Sequence, residues 1–563
     1  MVSRAKALAV SVCLLAMVWC EVASAGTGAV KDEPLIKDRK WAEAQAFYAR
    51  QLEDFAATKG VKSGGGLTVL VLCYDAARYF PKLTGEDMTS LEEWLLDQPD
   101  FTATLLAALG PKDSPERVFH VLAQVKQEFG AAKILRYKGL AIAHALVWDR
   151  EKGKSKKFDA TDSFGYYVSN AASMSFDLTT MPYEPALFLA CAQAAPDERL
   201  WALKDYKRPK KMRGIYGDPG YGGKIPEGQE HTLQNILKYG GICVHRAYFA
   251  SNVACALGIP AAGISGRGER GGHAWVGYIE PGHPGEYLWN LGCGRYSYDH
   301  YFVGTTHDPQ TGAKLKDYEL AMRTKGCCLP PAAQRLSDCY HGLADLLEKN
   351  KEYPLVKWAL EQAIRNNPFN TAAWHATMRL CKAGSFEPEY ANHLVDEALR
   401  QFPKDLDFCY GIFDTLMETV PDKNVDRRVR LYQQAAGFFK PRPDLSARVA
   451  RAYGDYLMDQ GRKDQAYDVY YDAIRAHMKD PMLTADLAIK VTKMRLESDE
   501  PKKAVELLQP LIELAKKPGY HDPYAKHSEW YRLQACLAGV YKKMGEEKAA
   551  AAIEEELAKF VRL

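Results

Sequence analysis

The sequence predicts an α+β protein with a helical N-terminal region, a core in which a helix packs on an antiparallel sheet, and a C-terminal α-helical repeat array. Three observations lead there. From about Asp32 to Asp149, apolar residues recur at steps of three and four, the signature of helices with one buried face. Between Tyr239 and Gly312, a glycine turn, a helical pattern and strand-like segments follow one another. After about Pro331 glycine thins out, and helical runs rich in Ala, Leu, Lys and Glu alternate with prolines. At 563 residues the chain is long enough for two to four domains. The expected divisions are a leader over 1–25, the helical region over 26–175, the core over 176–332 and the repeats over 333–563.

The N-terminal helices are expected over Trp41 to Ala57, Ser90 to Leu96, Pro115 to Phe129 and Ala131 to Trp148. They carry no chemical motif and read as a packing domain. Before them, Arg4 and Lys6, an apolar run from Ala7 to Trp19, and Ala23-Ser24-Ala25 form a secretory signal with maturation at Gly26. No later run reaches the roughly 20 apolar residues of a membrane helix. The mature chain is therefore expected to be exported, periplasmic or secreted, with no integral membrane segment.

Composition excludes little else. Hydrophobic residues make up 47% and charged residues 26%, ordinary globular usage. The net charge is +3, from 74 basic and 71 acidic side chains, which gives no reason to expect nucleic acid. The basic runs Lys152 to Lys157 and Lys207 to Arg213 read as solvated loops. Of 13 cysteines, Cys13 and Cys20 fall in the leader. Cys327, Cys328, Cys293 and Cys339 are either bridged or buried thiols.

The chemistry concentrates in the second stretch. Gly240 and Gly241 allow a tight bend, and Cys243 follows at once. Val244, Ala247, Ala250, Ala254 and Leu257 then mark one helix face, which Gly258 and Pro260 end. Cys243 is thus placed at a helix N-terminus, where unpaired N–H groups favour an anion, and a thiolate is the nucleophilic form of cysteine. Ala261 to Ser265 and His273 to Glu280 read as strands, and Tyr287 to Leu291 as the return strand after the turn 281–285. If the ladder closes between Tyr278 and Gly285, His273 faces Asn290; if it closes between Glu280 and Glu286, it faces Cys293. The sequence leaves both registers open. His245 lies two residues from Cys243 on the helix and so faces another side. A zinc site from Cys243, His245, His273 and Cys293 lacks paired ligand spacing, so no metal and no cofactor is expected. Tyr216 and Tyr221, in the glycine-rich segment before the helix, either line a cleft or pack a loop.

The phrases Gly-Gly-Ile-Cys-Val-His-Arg-Ala (240–247), Gly-Ile-Pro-Ala (258–261), Gly-Gly-His-Ala-Trp-Val-Gly-Tyr (271–278) and Trp289-Asn290 together resemble the transglutaminase-like superfamily of papain-like cysteine enzymes. Trp201 to Tyr206 is similar to that family's helical lead-in. The resemblance covers about a quarter of the chain. It implies Cys243 as nucleophile, His273 as general base and Asn290 as the third residue, where most members carry Asp. Asp308, before Pro309, is the alternative third residue. It also implies thiol acyl transfer on a peptide or protein substrate, with hydrolysis preferred to cross-linking. The alternative is a non-catalytic binding or scaffold protein.

In the C-terminal region Pro368, Pro403, Pro441, Pro481 and Pro518 recur 35 to 40 residues apart. Trp358-Ala359-Leu360 and Tyr453-Gly454-Asp455-Tyr456 are phrases that resemble tetratricopeptide repeats. That resemblance implies either a protein partner on the concave side or a rigid support for the enzyme domain.

Overall fold

The computed structural model describes residues 27–59, 64–150, 158–206, 211–268, 271–282, 285–296, 303–417, 419, 425–522 and 524–560. The expected leader, the basic run 152–157 and residues 207–210 lie outside them, as do 283–284 in the expected hairpin turn. The described residues are α+β, mostly helical, with one five-stranded sheet.

The N-terminal helices form where the periodicity placed them. Trp41–Ala57 buries Ala44, Tyr48, Leu52, Phe55 and Ala56 along one face. Pro115–Phe129 buries Val118, Phe119, Val121, Leu122 and Val125. The span 131–148 is two helices, Ala131–Arg136 and Lys138–Val147, joined at Tyr137. Helix α1 (Gly64–Tyr79), inside the stretch expected to be helical but not among the helices expected there, packs on Trp41–Ala57.

Helix α2 (Tyr183–Ala190) packs on Lys138–Val147. The lead-in helix Pro196–Asp205 places Arg199 wholly inside the protein. Its Nε donates to Ala194 O (2.7 Å), Nη2 to Ala192 O (2.7 Å) and Nη1 to Ser163 Oγ (3.0 Å). The rings of Phe158, Tyr166 and Tyr167 surround the guanidinium at 5.1–5.6 Å. A charge spread over a planar fork tolerates such a site better than an ammonium would. Burial pushes the nearby His144 down to about 3, so it packs as a neutral ring. Arg199→Met keeps the length and removes the donors. It is expected to cost about 2–4 kcal/mol, because three buried acceptors lose their partner. A urea unfolding curve of the full chain checks this; an unshifted midpoint would rule the network out as a stabilising element.

Helix α3 (Cys243–Ala256) follows, tied to the segment just before the lead-in helix by Asn252, whose Oδ1 accepts from the Gln193 and Ala194 N–H groups at 2.9 and 3.0 Å. Strands β1 (Ala261–Gly268), β2 (Gly271–Ile279), β3 (Trp289–Cys293), β4 (Thr305–His307) and β5 (Lys314–Lys316) form a sheet of order β3-β2-β1-β4-β5. β3 runs antiparallel to β2, β4 to β1 and β5 to β4. Phe188 from α2, Leu315 from β5 and Leu320 from helix α4 (Asp317–Gly326) form a buried cluster with Ala262, against which Trp289 and Leu291 pack. Strands β4 and β5 were not anticipated, being three residues each.

The described residues from Pro331 to Phe560 are helices and connections, with no strand. Helix α5 (Pro331–Lys349) pairs with Tyr353–Asn366, and later helices pair likewise, Pro443–Asp459 with Lys463–Ala476 and Glu529–Lys543 with Glu547–Ala558. The chain divides into two compact units: the first ends at Leu380 within this helical run, and the second comprises Cys381 onward together with Arg267–Gly272 and Tyr298–Phe302. Cys293, Cys327, Cys328 and Cys339 are free thiols. No described helix is long and apolar enough to cross a membrane.

Candidate active site

The turn before α3 is built as the glycines suggest. Helix Leu233–Tyr239 ends at Gly240, whose φ of +74° reverses the chain at a place where a Cβ would lie 2.5 Å from the Gly220 carbonyl oxygen. Gly241 N–H donates to that same oxygen at 2.8 Å. One residue later Ile242 caps α3, and Cys243 is its first helical residue, half-buried. The first N–H groups of a helix lack intrahelical acceptors, so anionic character at Cys243 is favoured there. His245 serves the turn rather than the thiol. Its Nδ1 accepts from the Ile242 N–H at 3.3 Å, and its ring stacks on His231.

His273 is buried on β2. Its ring stacks on Tyr296 with centroids 4.2 Å apart and lies 5.8 Å from Trp275. Nε2 is 2.9 Å from the carbonyl oxygen of Gly294. A carbonyl only accepts, so Nε2 carries the proton and, in the neutral ring, Nδ1 is left as an acceptor.

The hydrogen bonds of the two expected third residues, Asn290 and Asp308, go to groups other than His273. β2 and β3 pair as Val276 with Cys293, Tyr278 with Asn290 and Ile279 with Trp289, with an irregularity between Val276 and Tyr278. This is neither expected register: the connection is longer, and Glu280 N–H closes it on Leu288 O. His273 therefore lies beyond the end of β3, level with Gly294 to Tyr296. Asn290 donates from Nδ2 to Glu280 Oε1 (2.7 Å), and its Oδ1 accepts from Gly292 N–H (3.0 Å). Its amide is engaged away from His273. Asp308 is also engaged elsewhere. Its Oδ2 accepts from Arg323 Nη1 at 2.7 Å and its Oδ1 from the Gln310 and Thr311 N–H groups. A main-chain carbonyl stands where an Asp or Asn side chain was expected.

Tyr216, from helix Met212–Gly217, joins the pieces. Its hydroxyl donates to Ala274 O, next to His273, at 2.9 Å. Its carbonyl accepts from Arg246 Nε on α3 (3.0 Å), and the Arg246 guanidinium sits 4.6 Å over its ring. Burial raises its pKa and Arg246 opposes that, while the nearby Cys243, Tyr296 and Cys293 raise it further. Tyr216 thus keeps its proton while it braces β2. The sequence marked Tyr216 only as a residue that either lines a cleft or packs a loop. Burial pushes the Cys293 thiol up to about 11. Among the described residues, no group of three His, Cys, Asp or Glu side chains is placed to hold a metal ion.

Asp308 has a structural signature of its own. Burial alone would raise its pKa, but Arg323 and two backbone N–H groups outweigh burial and hold it below the ordinary carboxylate range. A depressed folded-state value means that its stabilisation is fully present above the unfolded value of about 4 and is lost as pH falls through the folded one. Asp308→Asn is therefore expected to cost about 1–2 kcal/mol at pH 7, less at pH 3, and to leave activity unchanged. Denaturation at the two pH values checks the stability effect. A loss of activity comparable to that of His273→Ala would restore Asp308 as the third residue.

The chain matches no protein-family model and no curated protein.

Proposed function

We propose that the protein is an exported, transglutaminase-like cysteine enzyme that transfers acyl groups from amide or peptide bonds through a thioester on Cys243. The observation that supports this most directly is the pairing of His273 Nε2 with Gly294 O, which reserves Nδ1 as the acceptor a general base needs. Cys243 at the first turn of α3 and Tyr216 bracing both α3 and β2 support it further.

In this reading Nδ1 of His273 takes the thiol proton and the sulfur attacks the carbonyl carbon. The resulting oxyanion is held by N–H groups at the start of α3. Collapse breaks the C–N bond, and the leaving amine takes the proton from His273. Water then attacks the thioester, its proton passes to His273, and the acid leaves as Cys243 regains its proton. The exposed side chains Tyr221, Ile242, Val244 and Tyr296 offer an apolar rim suited to a peptide or protein substrate. Export rests on the N-terminal leader sequence. The C-terminal helices read as tetratricopeptide-like, either as a partner-binding surface or as a support.

The second reading, a non-catalytic scaffold, is favoured by one observation: neither Asn290 nor Asp308 reaches His273. One experiment separates the two. Treatment with p-nitrophenyl acetate is expected to give an acetyl adduct on Cys243 that turns over, with burst kinetics. No adduct, together with iodoacetamide labelling of Cys243 that is indifferent to His273→Ala, would select the scaffold.

A further inference from the structure

The carbonyl oxygen of Phe188, near the C-terminal end of α2, accepts from two thiols, Cys191 Sγ at 3.5 Å and Cys255 Sγ at 3.4 Å. It is one of the last four carbonyls of its helix, which lack intrahelical donors. Ala192 N–H, the next donor along the chain, turns to Leu189 O instead at 3.2 Å. Cys191 is the C-cap of α2, and Cys255 lies in the last turn of α3. Cys255 is buried, and its thiol also lies 3.7 Å from Ala261 O at the start of β1. Both cysteines belong to the first compact unit.

Two sulfurs that share one acceptor atom are neighbours in space. Burial pushes both thiols up, Cys255 to about 11, and the proximity of Cys255 pushes Cys191 further. In the reduced chain the pair is therefore two uncharged thiols, and an S–H is only a weak donor. Joining the sulfurs gives up two weak hydrogen bonds and no strong one. Cys327 and Cys328 are a poorer pair. Their thiols turn to successive carbonyls, Arg323 O and Thr324 O, at 3.6 Å each. Adjacent residues also have Cα atoms only about 3.8 Å apart, short of the roughly 4.4–6.8 Å that an unstrained disulfide spans.

We propose that Cys191 and Cys255 form a disulfide in the exported protein, stapling the end of α2 to the last turn of α3. Oxidising compartments outside the cytosol are where such bonds form and persist. The oxidant is a protein or small-molecule disulfide of that compartment. One cysteine, as thiolate, attacks it and releases a first thiol. The other then attacks the mixed disulfide and releases a second. The two cysteines lose two electrons and two protons, and the oxidant leaves as two thiols. Exchange needs a thiolate, which burial suppresses in the folded chain, so the bond forms as α2 and α3 dock. Cys243 takes no part in it, and the bond forms whether or not the protein transfers acyl groups.

The test is thiol mapping of the chain made in two compartments of a bacterial host. One sample is directed to the periplasm by a leader of established export, so the outcome does not depend on residues 1–25; the other is made in the reducing cytosol. Free thiols are blocked with N-ethylmaleimide in guanidinium chloride, where burial protects none of them, and the chain is cut with trypsin. Trypsin leaves Cys191 alone in peptide 158–199, Cys255 alone in 247–267 and Cys243 in 239–246. The periplasmic sample is expected to yield 158–199 joined to 247–267, at their summed mass less two hydrogens, as the main form of both. The cytosolic sample is expected to yield both peptides alkylated. Closing a long loop restricts the unfolded chain, so the urea midpoint of the periplasmic sample is expected to lie above that of the cytosolic one. Cys191→Ala and Cys255→Ala are each expected to abolish that difference. Alkylation of both peptides in the periplasmic sample, either cysteine joined to a different peptide, or equal midpoints for the two samples would each overturn the proposal.

Discussion

Cys243→Ala is expected to abolish acyl transfer outright, and His273→Ala to reduce it by about 10³-fold or more. The sulfur is the atom that carries the acyl group, so without it no thioester forms and no second thiol is placed to substitute. Cys293, which like Cys243 lies near Tyr216, is buried and pushed up to about 11. General-base catalysis by a positioned histidine contributes about 10²–10⁴-fold, and here the base also returns the proton to the leaving amine, so its loss counts twice in one cycle. The measurement is stopped-flow acylation by p-nitrophenyl acetate, with intact-mass detection of the adduct. Iodoacetamide labelling at pH 7 gives a readout that needs no substrate: His273→Ala should slow alkylation of Cys243 while leaving the folded far-UV spectrum unchanged. Acyl turnover that persisted in Cys243→Ala would remove the mechanism entirely.

The sequence was informative where a local rule and a long-range requirement agreed. Gly240 needs a positive φ, Cys243 begins an uninterrupted apolar period, and Gly258 stops it; the helix start could be read from those residues alone. The register of β3 could not. It depends on how many residues between Glu280 and Trp289 leave the ladder, and Pro281, Gly282 and Gly285 fit several turn lengths equally well. The irregularity between Val276 and Tyr278 adds one more displacement that no side-chain pattern announces. With a period of two, a small slip reassigns every facing pair, and Asn290 was reassigned to Tyr278 in this way.

Arg199 was unreadable for the opposite reason. A charged residue in an amphipathic helix is ordinarily placed in solvent, and only the assembled carbonyls and rings of three separate segments make its burial possible. The helical array lay between these cases. Its prolines were visible, yet they play two roles. Pro481 opens a helix at its first position, while Pro368, Pro403, Pro441 and Pro518 lie in connections. The first position lacks an intrahelical acceptor for an N–H, so a proline there loses nothing, and both roles give the same spacing.

Gly294→Ala is expected to lower the acylation rate by about a hundredfold while the protein remains folded. Three features meet at this residue. Its carbonyl accepts from His273 Nε2 and so selects the tautomer that leaves Nδ1 basic. Its φ of +89° lies where a side chain is strained. A Cβ would fall 2.6 Å from the ring of Tyr216, which is itself fixed by Ala274 O and Arg246. Neither the ring nor the backbone can yield without moving the other. Relief of the contact therefore shifts the Gly294 carbonyl, and a misplacement of about 1 Å at a catalytic group is enough for a loss of that size. Asn290→Ala removes only an amide bridging Glu280 and Gly292 and is expected to change the rate by less than about threefold, since its partners are exposed to water. Acylation kinetics of the two variants, with alkylation of Cys243 as control, decide between a carbonyl and a side chain as the group that orients His273. A silent Gly294→Ala together with a damaging Asn290→Ala would return that role to Asn290 and require the hairpin register to change in the working state.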